Sequence, residues 1–343
     1  MAARPTQTMK TQTITFTAPH QIEIRERELA PLGAGQVLVQ TLVSAVSPGT
    51  EMLLYRGQFP KEMAASADTI SAALKYPCAY GYACVGKIVE TGEQVERQLL
   101  NRLVFAFQPH TSFFVLEPAA LLLLPEGISP ETAAFLPNME TAVSLVQDLA
   151  PLLGERGLVF GQGIVGLLAA SLLAEFPLAA LVTVDKFPRR RAESRKAGAT
   201  TSLDPSAGDF QAQVLQNLGG EKADFSLEIS GAPAALNEAI GLTRFSGRII
   251  VGSWYGEQQA PLNLGGDFHR SRIQIISSQV SAIRPELSGR WSKSRRFRVA
   301  WQALARIRPE KWVTQRVDIQ QAPEIYRMLA ENPSESIQVL FDY

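Results

Sequence analysis

The spacing of hydrophobic residues changes after Pro137. Before that residue, apolar positions fall in short, alternating runs that are bounded by glycine, which is typical of β-strands. Strands are predicted at Gln36–Val46, Gly86–Gly92 and Arg102–Phe107. This part of the chain therefore reads as a β-rich, barrel-like domain, preceded by a polar tail up to Met9.

Strand and helix patterns alternate in the second part of the chain. Strands are predicted at Gly157–Phe160, Ala180–Val184, Phe225–Ile229, Arg248–Gly252 and Ile273–Ile276, and helices at Thr141–Leu149, Leu167–Ala174, Ala192–Ala197, Phe210–Leu218 and Ala234–Leu242. This alternation predicts a doubly wound parallel sheet. Further elements are predicted at Phe297–Ile307, Thr314–Val317, Ala322–Leu329 and Ser336–Phe341. We expect an α/β protein with a β-rich domain (1–138), a parallel-sheet domain (139–284) and a return (285–343) that completes the first domain.

A glycine motif lies between the first predicted strand and helix of the parallel sheet. It has the form GxGxxG, with glycines at 161, 163 and 166, and Asp185 follows 19 positions after the last of them. Gly161 permits a tight turn, Gly163 lets a pyrophosphate approach the backbone, and Gly166 lets helix and strand pack closely. Asp185 is placed to accept hydrogen bonds from an adenosine ribose. The complete unit predicts a dinucleotide site.

Composition excludes several classes of function. The 343 residues favour two domains, and 33 basic and 33 acidic residues give a formal net charge of zero. We therefore expect no nucleic-acid partner and no anionic membrane surface. No apolar run is long enough to cross a bilayer, and the only cysteines, Cys78 and Cys84, exclude a disulfide framework. A cytoplasmic protein is expected.

The order of domains, with the glycine motif near the middle, resembles the medium-chain dehydrogenase/reductase superfamily. The motifs that carry the resemblance are Gly86–Gly92, Leu136–Ala142, the GxGxxG, Ser230–Leu236 and Trp312–Thr314. Ser47–Glu51, Tyr80–Tyr82 and Phe268–Arg270 are similar to a divergent branch, the bacteriochlorophyllide C3-hydroxyethyl dehydrogenase group. The resemblance implies a GroES-like β-rich catalytic domain, a Rossmann NAD(P)-binding domain, a small-molecule substrate and a homodimer.

The resemblance also assigns cofactor positions beyond the glycine motif. Ser230, Gly231, Gly252 and Ser253 match strand ends that line the cofactor, and Thr141 matches a threonine near the nicotinamide. Asp185 repels a 2′-phosphate and so favours NAD. Three basic residues just after it leave NADP open, namely Lys186, Arg189 and Arg190.

The positions of the family's zinc ligands depart from the pattern. Zinc-dependent members bind the catalytic metal through a cysteine, a histidine and a further cysteine or acid. These positions correspond here to Ser47, Tyr82 and Pro137, none of which is a usual zinc ligand. The structural zinc lobe needs four clustered cysteines, which the chain lacks. We expect no zinc and no other metal.

Without zinc, a side chain must supply the proton donor or the base. Tyr82 stands at the position of the zinc histidine, and Thr50 aligns with the family's proton-relay hydroxyl if one inserted residue is allowed. Glu51 can be a base or pair with an arginine, and His110 can shuttle protons. Structural roles remain open for Tyr82 as a space-filling side chain, Glu51 as an ion-pair partner and His110 as a turn cap.

Three functions follow from these residues. The first is hydride transfer between nicotinamide and a secondary alcohol or ketone without zinc. The alternatives are a zinc-free reductase of quinones or other activated double bonds, and a cofactor-binding protein without catalysis. Aromatic residues that can line a pocket for a large, flat substrate are Phe113, Phe114, Trp254, Tyr255 and Trp291, and the segment Glu62–Lys75 reads as a lid or an exposed helix.

Overall fold

The computed structural model describes residues 9–59 and 75–343. Apart from Met9 and Lys75 themselves, the predicted tail and the predicted lid segment Glu62–Lys75 lie outside the described residues. The strands are β1 Lys10–Ala18, β2 Gln21–Glu28, β3 Val37–Ala45, β4 Cys78–Ala79, β5 Cys84–Thr91, β6 Leu103–Ala106, β7 Phe113–Leu116, β8 Leu122–Leu123, β9 Arg156–Phe160, β10 Ala180–Val184, β11 Thr201–Leu203, β12 Ala223–Glu228, β13 Thr243–Val251, β14 Gln274–Ser277, β15 Val313–Asp318 and β16 Gln338–Asp342. The helices are α1 Pro48–Tyr55, α2 Pro130–Ala133, α3 Leu136–Leu149, α4 Ile164–Leu173, α5 Pro188–Lys196, α6 Phe210–Asn217, α7 Ala235–Leu242, α8 Pro285–Ser288, α9 Lys293–Ile307 and α10 Ala322–Glu331.

The chain divides into two compact units. The first unit contains residues up to Pro137 together with Val313–Tyr343, and the second contains Asn138–Trp312. The first unit holds a three-stranded sheet with the order β2-β1-β4 and a larger sheet with the order β15-β16-β3-β5-β6-β8. Strand β3 is central to the larger sheet because its first half also pairs with β7 and its second half with β16. The chain therefore returns to the first unit through β15, α10 and β16.

The second unit is built on a six-stranded sheet. Its strand order is β11-β10-β9-β12-β13-β14, and all neighbouring strands run parallel. Helices α4 to α7 pack against these strands, as buried apolar parallel strands require. The predicted fold class, an α/β protein with a β-rich domain and a Rossmann-like parallel sheet, is confirmed.

The return to the first unit begins later than the sequence predicted. Residues 285–312 belong to the second unit, so the boundary near 285 is wrong and lies at Trp312. The reason is helix α9, which packs against α4 of the second unit and has Ala300 and Leu304 buried. In addition, the α9 residue Arg296 is 1% exposed and donates from Nε and Nη2 to Glu140 Oε1 at 3.1 and 3.0 Å.

Candidate functional site

The segment Gly161–Gly166, called the glycine loop below, leads from β9 into the first turn of α4. Gly161 has a φ of +93°, and a Cβ at this residue would lie 2.5 Å from the Ser230 Cα. A Cβ at Gly166 would lie 2.0 Å from the Gly161 carbonyl oxygen. Both contacts are with backbone that cannot move aside. The loop conformation therefore requires glycine at both positions.

Gly163 has a different environment because it faces open space. A Cβ there would have Arg190 Nη1 as its nearest neighbour, at 4.0 Å. Gly163 is the N-cap of α4, and no side chain of the described residues caps this helix. The free N–H groups and the helix dipole make this end of α4 a site for phosphate. The glycine loop therefore fits a dinucleotide pyrophosphate.

Asp185 lies beside the glycine loop at the end of β10. Its buried carboxylate accepts hydrogen bonds from the backbone N–H groups of Gln162 and Phe187, both at 2.8 Å. Arg190 Nη1 is 4.0 Å from Asp185 Oδ2, and its guanidinium stacks over the Phe187 ring. Burial lowers the pKa of Arg190, and Asp185 opposes that shift. The structure thus brings together the predicted ribose acceptor, the predicted cation and the glycine loop.

Four of the other predicted cofactor residues lie on loops at the carboxyl edge of the same sheet, and Thr141 lies on α3. The Gly231 N–H donates to Ser253 Oγ at 2.9 Å, which joins the loops after β12 and β13. A Cβ at Gly252 would lie 2.5 Å from a Leu145 methyl group. Thr141 is half-buried one helical turn before Leu145, on the same face of α3. All of these residues therefore belong to one end of the second unit.

Glu51 is the centre of a fully buried cluster in the first unit. Its Oε1 accepts from the Ser47 N–H at 2.7 Å. Its Oε2 accepts from His110 Nε2 at 3.1 Å and from the Tyr326 phenol. Burial, followed by the Glu51 charge, raises the pKa of Tyr326 well above its usual value, so the phenol stays a donor. The alternative in which Glu51 pairs with an arginine is wrong, because its carboxylate bonds to Ser47, His110 and Tyr326.

His110 extends this cluster, called the buried glutamate cluster below, toward the last strand. Its Nδ1 lies 2.7 Å from Ser44 Oγ, which lies 2.8 Å from the Tyr343 phenol. Because a carboxylate only accepts, Nε2 carries a proton toward Glu51. A Cβ at Gly81, whose φ is +118°, would lie 2.6 Å from His110 Cδ2. His110 therefore packs against the backbone next to Tyr82 and does not cap a turn as one alternative expected.

Three hydroxyl-bearing residues form a second group, called the hydroxyl cluster below. The half-buried Tyr82 phenol donates to Ser47 Oγ and lies 3.4 Å from Thr50 Oγ1. Ser47 precedes α1, and its own N–H is held by Glu51. The structure therefore brings Tyr82, Thr50 and Ser47 together, and it links this cluster to Glu51 through the backbone of Ser47.

The hydroxyl cluster does not fit a catalytic zinc. Protein zinc is bound by thiolate, imidazole or carboxylate, whereas Ser47 and Tyr82 offer neutral hydroxyls that bond to each other. Across residues 9–59 and 75–343, no group of three or more histidine, cysteine or acidic side chains is placed to hold a metal ion. Cys84 is buried, and burial raises the pKa of its thiol to about 12, so it stays protonated.

The aromatic residues suggested as a pocket lining have separate roles. Phe114 is buried in a core cluster of the first unit, and Trp291 lies under the Arg295 guanidinium at 4.2 Å. The Tyr255 phenol donates to Glu228. Trp254 is 39% exposed. The large, flat substrate therefore gains no support from Phe114, Trp291 or Tyr255.

Sequence reasoning missed several buried or half-buried polar residues of both units. These are Ser44, Glu228, Tyr326 and Tyr343. Glu228 left a signal, because an acid directly after the apolar Leu227, at the end of a strand in a buried parallel sheet, is unusual. Tyr326 and Tyr343 left none, since their partners are far away in sequence.

Known proteins are similar to this chain in both sequence and fold. Residues 165–297 match a family described as zinc-binding dehydrogenase. L-galactonate-5-dehydrogenase from Escherichia coli K12 is 32% identical in an alignment of 292 positions that covers 76% of this chain and 81% of that protein. This chain belongs to that family, within the medium-chain dehydrogenase/reductase superfamily. D-guloside 3-dehydrogenase from the same organism is 24% identical over 95% of this chain and 98% of its own length.

Solved structures place the family fold over nearly the whole chain. An alcohol dehydrogenase from E. coli CFT073 in complex with NADH has a TM-score of 0.79 and 19% identity, over 97% of this chain and 99% of the other. A 2R,3R-butanediol dehydrogenase from Bacillus subtilis has a TM-score of 0.78 and 18% identity, over the same shares. Together with the sequence relatives, which are named dehydrogenases, this confirms the predicted NAD(P)-dependent oxidoreductase of the alcohol dehydrogenase type. Within the described ranges, this zinc-binding dehydrogenase family member has no helix with the length and apolarity of a membrane span.

Proposed function

We propose that this protein interconverts a secondary alcohol and a ketone without a catalytic zinc. The observation that carries the proposal is the hydroxyl cluster, in which a phenol and a serine occupy two positions of the family's zinc ligands and bond to each other. The nicotinamide cofactor, when bound, supplies or accepts the hydride. The protein must then stabilise the charge that develops on the substrate oxygen.

Tyr82 is the residue that we assign to this task. Its phenol is half-buried and already has a proton directed at a neighbouring oxygen, Ser47 Oγ. A substrate oxygen that takes the place of Ser47 as acceptor would receive the same proton. In the opposite direction, a Tyr82 phenol that accepts the alcohol proton must release its own proton, which the neighbouring hydroxyls of Ser47 and Thr50 would relay to water.

Glu51 and His110 have a different role in this proposal. Both side chains are 0% exposed and fully paired within the buried glutamate cluster. We assign them to holding the Ser47 backbone and the backbone at Gly81 in place. They do not exchange protons with the substrate directly.

The substrate class is a secondary alcohol. Two relatives are named L-galactonate-5-dehydrogenase and D-guloside 3-dehydrogenase, and these names support a secondary hydroxyl group of a sugar derivative as the substrate group. The motif similarity to the bacteriochlorophyllide C3-hydroxyethyl dehydrogenase group points instead to a hydroxyethyl group on a tetrapyrrole. Both are secondary alcohols, and the substrate panel below separates them.

We infer that NAD is the preferred cofactor. The Asp185 carboxylate lies beside the glycine loop, where a 2′-phosphate would meet a negative charge. Arg190 reduces that repulsion because its guanidinium is 4.0 Å from the same carboxylate. We therefore expect NADP to bind more weakly than NAD but still measurably.

We also infer a homodimer that works in a reducing compartment such as the cytoplasm. Strand β14 is an edge strand of the parallel sheet, and its residues are half-buried or exposed. An open edge offers unpaired backbone groups to a second copy. Both cysteines are free. Light scattering after size-exclusion chromatography measures the oligomeric state, and a monomer would contradict the dimer.

The test of the function is absorbance at 340 nm with NADH and NADPH against three panels. They contain oxidised sugar derivatives, acetyl-substituted tetrapyrroles, and quinones with enones. Turnover of a ketone in the first two panels supports the proposal, and metal analysis should find less than stoichiometric zinc. Turnover of quinones or enones alone would make the protein a double-bond reductase. Cofactor binding without any turnover would indicate a non-catalytic protein.

A variant pair then tests Tyr82. We expect Tyr82→Phe to lower kcat by about 100-fold or more with little change in KM, as loss of a general acid does. Tyr80→Phe is the control, because it removes a phenol oxygen two residues away and keeps a ring that is 3% exposed. Equal kcat values for the two variants would remove Tyr82 from the mechanism.

A further inference from the structure

Glu228 is a buried carboxylate in the middle of the parallel sheet of the second unit. It is the last residue of β12, 0% exposed, and its neighbours in register are Phe160 on β9 and Val251 on β13. Burying a charged carboxylate among apolar strands is unfavourable unless hydrogen bonds compensate it. The position of Glu228 therefore calls for an explanation beyond packing.

The partners of the Glu228 carboxylate lie on two different loops. Oε1 accepts from the Ser230 N–H at 2.8 Å and from the Ser230 hydroxyl, both on the loop after β12. Oε2 accepts from the phenol of Tyr255, on the loop after β13. One side chain thus bonds to both loops.

The backbone of Glu228 strengthens the same connection. Its carbonyl oxygen accepts from the N–H groups of Gly252 at 2.9 Å and Ser253 at 3.2 Å. Ser253 Oγ in turn accepts from the Gly231 N–H at 2.9 Å. These hydrogen bonds hold both loops to the end of β12. The bonds to the Glu228 carboxylate can be removed by a substitution, whereas those to its backbone carbonyl cannot.

The arrangement also reaches the glycine loop. Gly161 approaches the loop after β12 so closely that a Cβ would lie 2.5 Å from the Ser230 Cα. A shift of Ser230 would therefore press on the turn that receives the pyrophosphate. Ligands of open parallel sheets bind at this carboxyl edge.

From this geometry we propose that Glu228 is a positioning residue for the nicotinamide cofactor, with Tyr255 as its latch on the loop after β13. The inference rests on the proposed function only in that the cofactor binds at this edge. Burial, followed by the neighbouring Glu228 charge, raises the pKa of the Tyr255 phenol. The phenol therefore remains a donor at neutral pH and the latch remains closed.

The test is cofactor binding by the full chain in the absence of any substrate, read by NADH and NADPH fluorescence. Glu228→Gln replaces one acceptor oxygen by an amide nitrogen, which donates and cannot accept, and Tyr255→Phe removes the latch proton while keeping the ring. A hydrogen bond to a charged group accounts for about 10-fold or more in an equilibrium constant. We expect Kd for NADH to rise by about 10-fold in each variant, and by much less than the product in the double variant, because both act on one bond.

The control is Glu238→Gln, the same exchange on helix α7, where the carboxylate bonds to Gln211. It should leave Kd unchanged. A purely structural Glu228 would lower the melting temperature without changing Kd at temperatures where the protein is folded, and that result would overturn the proposal. If Glu228→Gln does not fold, Tyr255→Phe decides alone, because that phenol is only partly buried.

The outcome is separable from that of the proposed function. A wild-type protein that binds NADH but turns over no alcohol would contradict the function, while the variants would still decide the role of Glu228. A wild-type protein that binds neither NADH nor NADPH would overturn the role of Glu228 itself.

Discussion

The glycine loop and the buried glutamate cluster are built in opposite ways. The glycine loop occupies six consecutive residues. Backbone atoms determine its shape, since a Cβ at Gly166 would lie 2.0 Å from the Gly161 carbonyl oxygen. The buried glutamate cluster joins side chains from positions 44 to 343, and its bonds run between hydroxyl, imidazole and carboxylate groups. One site depends on local conformation, and the other depends on contacts between elements that are far apart in the sequence.

This difference determines what a substitution should do in each region. In the glycine loop, added volume is harmful because backbone cannot yield. In the buried glutamate cluster, loss of one polar group is harmful because its partners remain buried without a bond. The variants below test this contrast.

The largest effect is expected for Gly166→Ala. The new Cβ would lie 2.0 Å from the Gly161 carbonyl oxygen, so the loop must change its path. We expect a loss of about 4 kcal/mol in the free energy of unfolding together with loss of cofactor binding, measured by denaturant titration and NADH fluorescence. Gly163→Ala should retain stability and lose affinity, because only the cofactor approaches that position closely.

The control for the glycine loop is Gly241→Ala on α7, where a Cβ would meet no atom within 4 Å. Alanine favours helix over glycine, so this variant should be as stable as the wild type or slightly more stable. A Gly166→Ala protein as stable as Gly241→Ala would contradict a loop shape that is fixed by backbone contact.

The second effect is expected for Glu51→Ala. The substitution leaves the Tyr326 phenol, the His110 Nε2–H and the Ser47 N–H without their acceptor in a fully buried environment. We expect a loss of about 3 kcal/mol in the free energy of unfolding. Glu26→Ala, which removes an exposed pair with Lys10, should change it by less than about 1 kcal/mol. If Glu51→Ala and Glu26→Ala lowered the free energy of unfolding by similar amounts, burial of the glutamate cluster would not contribute to stability as we expect.

The same contrast explains what the sequence could predict. The strand, glycine turn, helix and acid of the cofactor site are local, so β10 was predicted with the bounds Ala180–Val184 that it has in the structure. The predicted bounds failed where the local pattern was weak. Strand β13 begins at Thr243, whereas the predicted strand began at Arg248. The prediction was short because residues 244–246 are exposed and do not form an apolar strand pattern. Helix α5 begins at Pro188, before the predicted start at Ala192, because proline is favoured in the first turn of a helix.

The candidate catalytic residues show the limit of this approach. Tyr82 and Thr50 are predicted from family positions, and in the structure the Tyr82 phenol oxygen lies 3.4 Å from Thr50 Oγ1. No local pattern announces Tyr326, because its contact with Glu51 spans 275 positions and depends on the packing of α10 in the first unit. A contact between helices that are so far apart in the sequence can be identified only from the folded structure.

A third, smaller effect concerns the support of β9, the strand that leads into the glycine loop. Arg248 donates from two nitrogens to the Glu155 carboxylate, both at 2.7 Å. Burial alone would raise the pKa of Glu155, but Arg248 and the Leu152 N–H hold it below its usual value. The pair therefore stabilises the folded state at neutral pH, and this contribution is lost as the pH falls below about 4.

A double-mutant cycle with Glu155→Gln and Arg248→Met measures this pair. We expect a coupling free energy of about 1 kcal/mol at pH 7, which falls toward zero at pH 3. Coupling of the same size at both pH values would contradict an ionic contribution from Glu155.

The smallest effect is expected for Thr50→Val, and it decides how the hydroxyl cluster works. The Thr50 Oγ1 lies 3.4 Å from the Tyr82 oxygen, beyond the usual length of a hydrogen bond between hydroxyls, whereas Ser47 Oγ accepts the Tyr82 proton directly. We expect Thr50→Val to lower kcat by about 3-fold or less, and Ser47→Ala to lower it by about 10-fold, because only the latter removes the bonded partner. A larger loss from Thr50→Val than from Ser47→Ala would instead make Thr50 the relay hydroxyl, as its alignment with the family suggested, and would mean that the substrate moves Tyr82 away from Ser47 before the proton is transferred.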